Sequence, residues 1–70
     1  MKTFSIDIAS APDREKLVAE IWLDNDLIAE INQDNEFLEL EIYNKGNEQL
    51  RLNFVDFINA LESAKNKLSE

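Results

Sequence analysis

The segment Val18-Ala19-Glu20-Ile21 returns ten residues later as Ile28-Ala29-Glu30-Ile31, and an Asp-Asn pair follows each copy, Asp24-Asn25 and Asp34-Asn35. No other feature restricts the fold so strongly. Apolar and polar residues alternate in each copy, the period of a strand with one buried face. Leu17, Ala19, Ile21 and Leu23 share one face, with Val18, Glu20 and Trp22 on the other. Asp and Asn tolerate the left-handed backbone that tight hairpins demand. A ten-residue spacing with a turn signal after each copy therefore predicts an antiparallel meander. The repeat is too short, and recurs too few times, to build a solenoid.

The flanking segments extend this pattern. Phe4, Ile6 and Ile8 alternate with Ser5 and Asp7, and Ala9 to Asp13 holds the only proline and reads as a connection. Leu38, Leu40 and Ile42 alternate with Glu39, Glu41 and Tyr43. The sole glycine then falls in Asn44-Lys45-Gly46-Asn47, a turn that favours positive φ, and Leu50 and Leu52 flank Arg51 as a last short strand. Strands are expected near 3–8, 16–23, 27–33, 36–43 and 48–52. A rival reading makes the second element a helix: Ser10 and Asp13 resemble a capping box, and Leu17, Val18, Ile21 and Trp22 would share a helical face.

At Asn53 the period changes. Phe54, Phe57, Ile58, Leu61, Ala64 and Leu68 recur at three- and four-residue spacing, one apolar stripe of a helix near 54–68. Asn53 suits the N-cap, Asp56 sits in the first turn, and Lys65 and Lys67 lie near the end, in the order the helix dipole favours. The expected fold class is α+β: an antiparallel meander of about five strands with one C-terminal amphipathic helix on one face, in a single small domain over 1–70. The alternative order is β-α-β-β-β-α.

A chain of 70 residues buries only about 60% of the surface its unfolded form exposes, so the core is marginal. With no Cys there is no disulfide, thiol nucleophile or thiolate zinc site, and with no His the commonest metal ligand and neutral-pH base are missing. A hydrophobic fraction of 44% with one Gly and one Pro is that of a folded globular domain. No stretch approaches the roughly 18 apolar residues of a membrane span. The start, Met1-Lys2-Thr3-Phe4, leads into alternation rather than a signal-peptide run. A cytoplasmic protein is the expectation.

Fifteen Asp or Glu against seven Lys or Arg give a formal net charge of −8. Phosphate contacts need Lys and Arg, which argues against nucleic acid or a membrane as a direct ligand. The charge is also located. Leu17 to Asn44 holds eight acidic residues and no basic one, while the rest has seven of each.

Side-chain parity constrains how the strands pair, because a one-residue slip turns a whole face over. A two-residue turn at Asp34-Asn35 sets Ile31 opposite Leu38, Ala29 opposite Leu40 and Leu27 opposite Ile42. A three-residue loop Asp24-Asn25-Asp26 sets Leu23 opposite Leu27 and Ile21 opposite Ala29; a two-residue loop would oppose core and surface. On the other face Glu20, Glu30 and Glu39 then form one row, Glu41 neighbours Ile28 and Ile28 neighbours Trp22. Phe37 neighbours Asn32, and matching Ile42 with Leu50 brings Arg51 to Glu41. The outer face is acidic, with Trp22, Phe37, Tyr43, Val18 and Ile28 among the charges.

Four kinds of chemistry compete for these residues. Paired carboxylates such as Glu20 and Glu30 can act as acid and base, but only in a pocket that separates their pKa values. The four serines have no His partner and there is no Gly-rich phosphate loop, so no enzyme activity is expected. Asp24, Asp26, Glu30 and Asp34 are hard oxygen donors suited to Ca²⁺ or Mg²⁺. EF-hand spacing nonetheless fails, since Ala29 stands at the glycine position and Asn35 at that of the bidentate Glu. No metal or cofactor is expected.

The aromatics fit either a second core or a protein-contact face, and a homodimer would satisfy both. The ordered acidity fits a basic protein surface, in particular a nuclease or nucleic-acid-binding complex whose phosphate sites the carboxylates occupy. The expected partner-binding residues are Glu20, Trp22, Asp24, Asp26, Glu30, Asp34, Phe37, Glu39, Glu41 and Tyr43. In size, charge and expected architecture the chain resembles small acidic anti-CRISPR proteins of phages, and immunity proteins that neutralise toxin nucleases. The resemblance implies a non-enzymatic inhibitor acting by nucleic-acid mimicry. It rests on general build with no shared motif, so it assigns no residue a role. Two alternatives stand beside it: an antitoxin or immunity protein against a toxin nuclease, and a structural or oligomerising domain kept soluble by its acidity.

Overall fold

A computed structural model describes residues 3–10, 12, 15–43 and 49–69. Four strands, β1 (Phe4–Ala9), β2 (Val18–Leu23), β3 (Asp26–Asn32) and β4 (Glu39–Ile42), precede one helix, α1 (Phe54–Leu68). The strands form one antiparallel sheet in the order β1-β2-β3-β4, and α1 packs on β1 and β2. The fold is α+β, a meander with a C-terminal helix on one face. Val18–Leu23 is a strand, so the order with a helix at the second element is not adopted.

The fifth strand is absent among the described residues. Residues 49–52 form no strand, Leu52 packs against the core, and Asn53 caps the helix directly after it. Leu50 does not pair with Ile42, and Arg51 does not reach Glu41; its Nη2 donates instead to Gln49 Oε1 at 3.3 Å. The turn expected at 44–47 lies outside the described residues.

The β2–β3 hairpin solves its parity problem differently from expectation. Leu23 pairs with Asp26 and Trp22 with Leu27, which leaves a two-residue turn, Asp24-Asn25. The register then shifts between Ile21 and Trp22, so that Ile21 opposes Ala29 and Glu20 opposes Glu30. The shift leaves Ile28 as the extra residue of a β-bulge, a device that re-aims side chains. Ile28 and Ala29 are both buried in the one core cluster, which strict alternation could not achieve. Ile28 is therefore a core residue rather than a member of the outer face. Asp24 itself has φ 53, in the left-handed region that Asp tolerates. Its N–H donates to Thr3 O at 2.9 Å and its Oδ1 accepts from Thr3 N at 3.0 Å, tying the turn to the start of β1.

The β3–β4 connection is wider than two residues. Ala29 pairs with Ile42, Ile31 with Leu40 and Asn32 with Glu39, leaving 33–38 as the loop. This is a two-residue slip from the expected register, and it keeps every apolar residue on its face.

One face carries the apolar rows Ile8–Ala19–Ile31–Leu40 and Ile6–Ile21–Ala29–Ile42. Ala60, Ala64 and Leu68 are the buried residues of α1, and the small alanines allow close approach to the sheet. Phe57 stacks obliquely on Phe4, with ring centroids 5.9 Å apart. Asn53 Oδ1 accepts from Asp56 N at 3.0 Å and sets where the helix starts. A helix is about 10–12 Å across, whereas strands lie nearly 5 Å apart. One helix thus cannot cover four strands, and Leu40 and Ile42 on β4 remain 42% and 54% exposed.

Candidate protein-docking face

The face opposite α1 is organised by a row of carboxylates. Asp7 pairs with Glu20, Glu20 with Glu30, and Glu30 with Glu41, so one acidic residue from each of the four strands stands in line. Opposed like charges destabilise a sheet. At about 5 Å a bare pair repels by roughly 0.8 kcal/mol in water, and by about 3 kcal/mol at an effective dielectric of 20. Neutral donors bond Glu20, Glu30 and Glu41 within the row.

Trp22 donates from Nε1 to Glu20 Oε1 over 3.4 Å, along its own strand. Tyr43 donates its hydroxyl to Glu30 Oε1 at 3.2 Å. Asn32, fully buried, donates from Nδ2 to Glu39 Oε1 at 3.3 Å and to Glu41 Oε1 at 3.4 Å. Its Oδ1 accepts from Asp34 N at 3.3 Å, which bends the chain into the loop after β3. Asn35 Nδ2 adds a donor to Glu39 Oε2 at 3.2 Å. These donors carry no charge, and they orient the carboxylates they bond.

Burial grades along the row. Asp7 is exposed, Glu20 and Glu41 are half-buried, and Glu30 is 7% exposed at the centre. Such a carboxylate needs its hydrogen bonds, since a buried charge without partners is costly. Among the described residues no buried side-chain nitrogen or oxygen lacks a partner.

Of the expected site residues, Glu20, Trp22, Glu30, Glu41 and Tyr43 are brought together by this network. Glu39 is displaced: it pairs with Asn32, and Glu41 takes the place opposite Glu30. Glu41 accordingly does not neighbour Ile28. Trp22 pairs with Leu27 rather than Ile28, because the bulge intervenes. Phe37 does not neighbour Asn32; it lies in the loop and is 65% exposed. Asp24 and Asp26 sit at the β2–β3 hairpin and Asp34 in the β3–β4 loop, all exposed and outside the row. Among the described residues no three carboxylates are grouped to hold one metal ion.

Two members of the site were not anticipated. Asp7 completes the row, and its alternation with Phe4, Ile6 and Ile8 was the available signal. Asn32 organises Glu39 and Glu41, and only its place at the end of an alternating strand marked it. No family model, curated protein or solved structure matches this chain.

Proposed function

We propose that the chain is a non-enzymatic inhibitor that docks its acidic, aromatic-bearing sheet face on the basic surface of a nucleic-acid-binding protein. The row Asp7–Glu20–Glu30–Glu41, oriented by neutral donors, carries this reading. Three interstrand steps span about 14 Å, and Glu39 and Glu41 stand about 7 Å apart along β4. A regularly spaced line of carboxylates offers Lys and Arg side chains what a phosphate backbone offers them: negative charge at regular intervals. Trp22, Tyr43 and the exposed Phe37 supply aromatic anchors beside it. The nuclease of a toxin, or of a defence complex of the kind anti-CRISPR proteins block, is the partner class this chemistry suits.

A structural role leaves the row without a purpose, since apolar or mixed-charge pairs would make a more stable sheet. The test uses the immobilised chain and a variant carrying Glu20→Gln, Glu30→Gln and Glu41→Gln, each challenged with nuclease-treated lysate. The wild-type chain is expected to retain a basic protein that duplex DNA elutes, and the variant to lose it while staying folded. Equal retention of that protein by both would sink the proposal.

A further inference from the structure

The strand order leaves one side of β4 without a neighbouring strand among the described residues. Tyr43 N donates to Ile28 O at 2.8 Å, on the same ladder that pairs Ile42 with Ala29 and Leu40 with Ile31. Bonded and non-bonded pairs alternate along an antiparallel ladder. Glu41 and Glu39 are thus bonded to β3, and the backbone N–H and C=O groups of Leu40 and Ile42 point to the open edge. The side chains of those two residues lie on the part of the apolar face that α1, packed on β1 and β2, leaves uncovered, and both are well exposed. The Glu39 and Glu41 side chains are on the opposite face.

Taken together, these features define what can add to the edge. We infer that β4 is a docking edge for an extended segment of a partner, in which aliphatic residues alternate with Lys or Arg. The aliphatic residues extend the Leu40–Ile42 surface, and the basic ones meet Glu39 and Glu41. A second copy of this chain fits poorly. Full antiparallel overlap of two β4 strands puts Leu40 opposite Glu41, mixing the faces. Sliding by one residue either way matches the faces but sets Glu39 opposite Glu41, or Glu41 opposite its own counterpart, and like charges so placed repel. The inference rests on the basic-partner reading above and gives that partner a definite structural element.

The probe is a short end-blocked peptide alternating lysine and valine, with the chain itself unchanged. Valines opposite Leu40 and Ile42 exchange both backbone hydrogen bonds with them, whereas the lysine amides point away from β4. Methylating the valine amides should weaken binding roughly tenfold or more, and methylating the lysine amides should not. Glu39→Gln and Glu41→Gln should each weaken it about two- to fivefold at low salt, and Glu62→Gln, on an exposed position of α1, should have no effect. Amide exchange at Leu40 and Ile42 should slow in the complex.

Equal binding by the two methylated peptides overturns the inference, as does slowed exchange at β1 instead of β4. A self-associated chain with Leu40 and Ile42 already protected overturns it too. If binding ignores methylation but falls with Glu20→Gln, the edge fails and the docking face stands. If valine methylation abolishes binding while lysate capture is indifferent to the Gln variants, the face fails and the edge stands.

Discussion

The Tyr43 hydroxyl reaches across from the end of β4 to Glu30, donating to its Oε1 at 3.2 Å at the most buried point of the acidic row. An aromatic residue expected to anchor a partner thereby also stabilises a charge within its own sheet. Tyr43→Phe should cost about 1–2 kcal/mol in urea unfolding, because the carboxylate loses a donor while remaining buried. The same change in a Glu30→Gln background should cost less, and the difference between the two backgrounds measures the pair.

Glu30→Gln alone keeps an acceptor for Tyr43 and removes the repulsion from Glu20 and Glu41. Stability should rise by roughly 0.5–1 kcal/mol at low salt, and the gain should shrink as salt screens the wild-type repulsion. Thermal melts across ionic strength test this. A variant less stable than wild type at every salt concentration would mean that the row is not strained.

Asn32 is fully buried and donates to both Glu39 and Glu41. Asn32→Ala should lose about 2–3 kcal/mol by leaving those acceptors short of a donor. Asn32→Asp should lose more, since it places a further carboxylate against two others. The order of the two midpoints in denaturant is the readout, and Asp milder than Ala would contradict it.

At Asp24 the left-handed backbone sets the ranking. Asp24→Asn should stay close to wild type, while Asp24→Ala should cost about 1–2 kcal/mol, because Ala lacks the short polar side chain that makes left-handed backbone tolerable and loses the bond from Thr3 N. Chemical denaturation of the series distinguishes backbone strain from a role in partner binding.

Phe37 and Trp22 separate anchoring from packing. Phe37 is largely exposed, so Phe37→Ala should leave stability within about 0.5 kcal/mol and weaken partner capture. Trp22 is half-buried and bonded to Glu20, so Trp22→Ala should lower both. Unchanged affinity with lost stability would make Trp22 a packing residue alone.

Periodicity carried much of this fold. The change of period at Asn53 and the polar cap there mark the helix start, and the repeat marks β2 and β3. What parity could not resolve were shifts that preserve it. A three-residue loop, or a two-residue turn followed by a bulge, both bring Ile21 opposite Ala29. Likewise Leu38, Leu40 and Ile42 are equally apolar, so a slip of two residues along β4 costs no burial pattern. The buried Asn32 side chain, bonded to Glu39, Glu41 and Asp34 N, accompanies the wider loop and could not be weighed from alternation. The acidic face was therefore legible as a face, while its row had Glu39 in the position that Glu41 occupies and lacked Asp7.

The central claim is that this face occupies a nucleic-acid site by charge. The most direct measurement is the affinity of the chain for its captured partner as ionic strength rises, with and without duplex DNA. Affinity should fall steeply with salt, and DNA and the chain should exclude one another from the partner. An affinity indifferent to salt, or a complex holding partner, DNA and chain together, would contradict it.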